Sequence, residues 1–94
     1  MAVFVLELAF DQDEEARLAA RPAHREYLQG LLEGGAVVMT GPLADDSGAL
    51  LIYEAPDDVA VEAIVAADPY TPSGGVRRVS LREWTPNVGY EPPG

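Results

Sequence analysis

The sequence predicts an α+β fold, a ferredoxin-like sheet built in the order β-α-β-β-α-β with both helices on one face. Two observations carry this reading. Short apolar runs rich in Val, Leu, Ile or Phe occur at 2–10, 36–43, 49–55 and 76–84, most of them bounded by turn or loop residues. Helical periodicity appears between the first and second runs and again between the third and fourth. Two split β-α-β units in this order close into an antiparallel sheet with its helices segregated to one side. A chain of 94 residues makes one domain, 1–94, with a core over about 2–85 and an extended tail over 86–94.

The first strand, AVFVLELAF at 2–10, puts Phe4, Leu6, Leu8 and Phe10 on one face and Val3, Val5, Glu7 and Ala9 on the other. Both faces are mostly apolar, so both are expected to be covered. Residues 11–20 form a polar entry with at most a short helical turn. Pro22 suits the first turn of a helix, and His24, Leu28, Leu31 and Leu32 then recur on one helical face until Gly34-Gly35 stops it. The second strand, 36–43, ends or bends at Gly41-Pro42. The DDSG turn at 45–48 leads into the third strand at 49–55. Asp57 caps a second helix with Val61, Ile64 and Val65 inward, and Asp68-Pro69 ends it. The last strand is VRRVSLREW at 76–84. Inspection finds no internal repeat.

Composition removes several function classes. The net charge is −10, from six arginines and no lysine against 16 acids. Residues 35–75 carry seven acids and no base, and only 76–85 is net positive. Such a chain repels a phosphate backbone, so no nucleic-acid partner is expected. No apolar run approaches the roughly 20 residues of a membrane span, and 2–10 lacks the basic flank of a signal peptide. The expectation is a cytoplasmic protein with no membrane partner. With one histidine and no cysteine, neither a metal site nor a cofactor is expected. A sheet whose outer face shows Val3, Val5 and Ala9 is too apolar to stay bare, and stacking two copies face to face would cover it. A homodimer is therefore expected.

The topology also brings chemistry together. Helix 1 runs down and helix 2 runs up, so the start of the first and the end of the second meet at one end of the domain. His24, read as lying in the first turn of helix 1, and Asp68, on the inward stripe at the end of helix 2, become neighbours across 44 positions. A carboxylate beside an imidazole fixes its tautomer and stabilises the imidazolium, so the histidine can act as base and then acid. The same edge collects Phe10, Asp11, Arg21, Thr40, Gly41, Pro42, Tyr70 and the start of the last strand near Arg77. Arg21 or Arg77 would hold a substrate carboxylate or an enolate oxygen. The competing explanation is structural: a single histidine on an apolar helix face is commonly a satisfied core residue, and Asp68 before Pro69 is a helix stop.

Three fragments together are distinctive: RPAHREYL at 21–28, TGPL at 40–43 followed by a glycine-bearing turn, and ADPYTPSG at 67–74. In this combination the chain resembles the YciI-like (YCII-related) family over roughly 3–85. The resemblance implies a ferredoxin-like fold paired as a dimeric α/β barrel. It also implies an active site built on His24 and Asp68, with Arg21, Gly41, Pro42 and Tyr70 at other characteristic positions. Lyase, dehydrohalogenase or isomerase chemistry on a small cyclic molecule is the activity implied. The competing function is a non-catalytic small-molecule-binding or accessory module that uses the same cleft.

Overall fold

The computed structural model describes residues 1–89. Its elements are β1 (Ala2–Phe10), α1 (Glu14–Glu33), β2 (Val37–Pro42), β3 (Gly48–Ala55), α2 (Asp58–Ala66) and β4 (Val76–Trp84). The strands form one sheet in the order β2-β3-β1-β4, antiparallel at every neighbouring pair. This is the predicted ferredoxin-like β-α-β-β-α-β fold. The expected tail over 86–94 contains no helix or strand across 86–89, and the rest of it lies outside the described residues.

Strand alternation sorts the sheet into two faces. Phe4, Leu6 and Leu8 of β1 face the helices and join Leu28 of α1 and Val61 and Val65 of α2 in a single buried core. Tyr27 ties the two helices together, its hydroxyl donating to the Ile64 carbonyl at 2.6 Å. The other face carries Val5, paired with Ile52 and Arg82, and Glu7, paired with Leu50 and Ser80. Val3 lies there between Glu54 and Trp84, and Met39 joins from β2 beside Ile52. Met39, Leu50 and Trp84 on that face are exposed.

The first helix departs from expectation. It starts at Glu14, eight positions before Pro22, and His24 therefore stands mid-helix instead of in the first turn. The cause is local. Asp13 caps the helix, its Oδ1 accepting from the Ala16 amide at 3.1 Å, and Glu14 and Glu15 fill the first turn, where the helix dipole favours acids. Pro22 is accommodated inside the helix, although it has no amide hydrogen to donate to the carbonyl one turn earlier.

The last strand contains a bulge. The register shifts between Glu7 and Leu8, and Val79 is the residue left without a partner. The shift lets Val76 and Leu81, an odd five positions apart, both face the helices. Gly75, just before β4, touches the start of α1: a Cβ there would lie 2.2 Å from the Asp13 carbonyl oxygen and 2.8 Å from the Arg17 Cβ. Only glycine allows this approach.

Candidate functional site

The turn after α2 is built by its own hydrogen bonds. The Asp68 amide donates to the Val65 carbonyl at 3.1 Å and the Thr71 amide to the Asp68 carbonyl at 2.9 Å, while the Thr71 hydroxyl donates to the Val65 carbonyl. The Asp68 carboxylate is thereby held inward at 3% exposure. Its Oδ1 accepts from two donors, His24 Nδ1 at 2.7 Å and the Tyr70 amide at 2.9 Å. The Tyr70 ring stacks on the imidazole with centroids 3.6 Å apart and planes 6° from parallel. His24 is itself only 7% exposed.

This arrangement assigns the ring nitrogens. A carboxylate has no proton to give, so Nδ1 carries the hydrogen and the Nε2 lone pair is left available. Nε2 makes no hydrogen bond within the described residues, and His24 lines a cavity of about 230 Å3. The cavity is small beside the ~300–1,000 Å3 of typical drug-sized sites, and its volume matches a single ring or a short chain.

Three walls enclose it. From α1 come Arg17, Arg21, His24, Arg25 and Leu28, which share one side of the helix at steps of three and four. From the sheet come Phe10, Thr40, Gly41, Pro42, Ala49 and Leu51. Asp46, at a positive φ of 63° in the turn between β2 and β3, and Tyr70 close the ends. Gly41 contributes backbone, and a Cβ added to it would meet no atom within 4 Å, so packing does not demand a glycine there.

Of the residues expected from sequence, His24, Asp68 and Tyr70 are in mutual contact, and Arg21, Gly41 and Pro42 line the same cavity. Arg77 does not. It lies on the outer side of the sheet paired with Ala9, and its Nε reaches Asp11 at 3.4 Å in an exposed ion pair. Its neighbour Arg78 points to the helix side, where Glu62 grips it at 2.9 and 2.8 Å. Arg17, Arg25 and Asp46 were not anticipated. The signal for the two arginines is present: positions 17, 21, 24, 25 and 28 form one helical stripe once the helix begins at Glu14 behind its Asp13 cap.

Two tyrosines sit behind the pair. Tyr53 is fully buried with no hydrogen-bond partner for its hydroxyl. Burial, and then the negative charge of Asp68, push its ionisation well above the ordinary phenol range. The same two causes raise Tyr27.

Among the described residues no cluster of three or more His, Cys, Asp or Glu is placed to hold a metal ion. No helix among them is long and apolar enough to cross a membrane.

Comparison with known proteins adds the lineage. No curated protein matches the chain. A solved structure that does match is 5-chloro-2-hydroxyhydroquinone dehydrochlorinase (TftG) from Burkholderia phenoliruptrix AC1100, in complex with 2,5-dihydroxybenzoquinone. The two share 24% sequence identity and a TM-score of 0.71 over 93% of this chain and 95% of that one, a likeness that establishes the fold. The model of the YCII-related domain matches residues 1–85, as the fragments around His24, Gly41 and Asp68 foretold, and the chain belongs to the YCII-related family.

Proposed function

We propose that the protein is a cofactor-independent acid/base enzyme, of lyase, dehydrohalogenase or isomerase type, acting on a small oxygenated ring. One observation carries the reading: a buried imidazole whose Nδ1 is held by Asp68 at 2.7 Å, on a histidine that lines a cavity of about 230 Å3 and whose other nitrogen has no hydrogen-bond partner among the described residues. In this reading Nε2 removes a proton from the substrate, and the electron pair released moves toward a ring oxygen. Asp68 stabilises the imidazolium so formed. The proton then returns at another position in an isomerisation, or a leaving group departs with the electron pair in an elimination. Arg21 would neutralise the developing oxyanion, and the stacked Tyr70 would hold the imidazole plane. The dehydrochlorination named for the matching structure is a reaction of this class.

The test is chloride release and product absorbance with 5-chloro-2-hydroxyhydroquinone, followed by a panel of halogenated and unsaturated cyclic acids and enols. Turnover by the wild type and its loss in a folded His24→Ala variant is the expected result. Ligand binding without turnover across the panel would make the protein a binding module instead.

We also propose that the working unit is a homodimer stacked through the outer sheet face, as a dimeric α/β barrel. Val5, Ile52, Leu50, Met39 and Trp84 give that face an apolar centre, and no helix among the described residues covers it. Glu7 and Arg82 lie on the same face, so a twofold axis can bring opposite charges together. Sedimentation should give twice the chain mass, and Ile52→Glu should give the monomer; a monomeric wild type removes the proposal.

A further inference from the structure

Arg17 is the most unusual cation in the molecule. Its side chain is only 8% exposed, and its one charged neighbour, Glu14, is 71% exposed and 3.9 Å away. No hydrogen bond reaches its guanidinium, and Nε is sealed from solvent without a partner. The guanidinium carbon lies over the Phe10 ring, 4.2 Å from its centroid. This contact involves the face of the cation and leaves the solvent-sealed Nε–H without a hydrogen-bond partner. A buried charge in this state is costly unless something of opposite sign joins it.

The placement says where that partner belongs. Arg17 lines the same cavity as His24, with Arg21 and Arg25 on the same helical side. Half of the chain's six arginines therefore meet at one small cavity in a protein of net charge −10. Among the described residues Asp46 is the one acid on the cavity wall. Arg17 stands seven residues before His24, about 10.5 Å along the helix axis, so the cationic end lies toward Phe10, away from the imidazole.

We infer that Arg17, backed by Arg21 one turn along the helix, is an anion-binding subsite selecting ring ligands that carry a carboxylate or ionised enol remote from the atom facing His24. The inference deepens the acid/base reading above by naming the substrate class, and it rests on the same cavity. Its test is binding, which does not depend on turnover. Phe10 lies against the guanidinium and Gly75 allows the chain to pack close on the Arg17 Cβ, so the side chain is held in place before an anion arrives.

The experiment compares 4-hydroxybenzoate with 4-hydroxybenzamide, two rings of matched size that differ in charge, by titration calorimetry on the wild type, Arg17→Met and Arg17→Lys. The wild type should bind the acid at least tenfold more tightly than the amide. Arg17→Met should erase that preference and leave amide binding unchanged, and Arg17→Lys should restore part of it. The unliganded Arg17→Met protein should melt no lower than wild type, because methionine replaces by packing a buried charge whose one ion-pair contact is long and exposed. Equal binding of acid and amide, no binding of either at millimolar concentration, or equal weakening of both by Arg17→Met would each overturn the subsite. A preserved preference for the acid in a protein that turns nothing over would overturn the catalytic reading and leave the subsite standing.

Discussion

Replacing Asp68 separates hydrogen bonding from charge at the centre of the site. Its Oδ1 accepts from His24 Nδ1 at 2.7 Å and from the Tyr70 amide at 2.9 Å, with all three residues buried. Asp68→Ala strands both donors. Each unsatisfied buried donor costs about 1–3 kcal/mol, so the variant should lose about 2–6 kcal/mol. A chain of this length has roughly 5–14 kcal/mol in all, and the melting temperature should fall by about 10 °C or more. Asp68→Asn keeps an oxygen at the same place and gives up only the charge assistance, about 1 kcal/mol for each bond. Urea denaturation at fixed protein concentration measures both, with the m-value checked for constancy. His24 is the chain's one histidine, so its ring nitrogens can be followed by NMR without assignment. The wild-type neutral ring should show the Nδ1–H form. An alanine variant within about 1 kcal/mol of wild type, or an asparagine variant as unstable as the alanine one, would refute the argument.

Other outcomes follow from single contacts. Tyr53→Phe should leave stability unchanged or raise it by about 1 kcal/mol in thermal or urea unfolding, because it deletes a buried hydroxyl that has no partner. Tyr53 and Tyr27 ionise above their ordinary value of 10.0 in the folded state, so their contribution is complete below that pH and is lost as the pH rises beyond it. Absorbance near 295 nm should show both hydroxyls ionising late, and together with unfolding. Gly75→Ala should destabilise the fold by more than 1 kcal/mol and weaken the acid-over-amide preference, because the new Cβ meets the Asp13 carbonyl at 2.2 Å and Arg17 at 2.8 Å. Glu62 is held below the usual glutamate range by its hydrogen bond to Arg78, so its small contribution is present above that range and fades as the pH falls through the lowered value. Glu62→Gln should flatten that part of the acid-unfolding curve.

The strands were legible because their hydrophobic runs are short and bounded: β1 and β4 occupy the expected spans, and β2 and β3 begin and end within a residue of theirs. The pairing of His24 with Asp68 was legible from topology, although the argument placed His24 at a helix end it does not occupy. Pro22 misled. It is a strong start signal, yet the Asp13 cap and its two following glutamates nucleate the helix earlier, and the error removed Arg17 from view. Arg77 was placed on the site by proximity in sequence to the strand start, while simple alternation from the inward Val76 turns it outward. The β4 bulge had a faint trace, since Val76 and Leu81 can share a face only if one residue is looped out. No pattern in the sequence measures how deeply an arginine is covered; that depends on Gly75 and Phe10 arriving from two other parts of the chain.

The cluster of arginines inside an acidic protein has a consequence for range. At physiological salt, electrostatic influence fades over about 8 Å. Within that layer, over most of the surface, an approaching anion is repelled by a chain of net charge −10. Only a molecule slim enough to come within a few ångströms of the α1 arginines passes from repulsion to attraction. If the proposed subsite holds, bulky polyanions such as nucleotides or sulfated polymers should be kept out while a single acidic ring enters. The charge pattern thus works as a size filter for anions, and added salt, by screening that repulsion before it weakens the contacts beneath, should speed the entry of small acids.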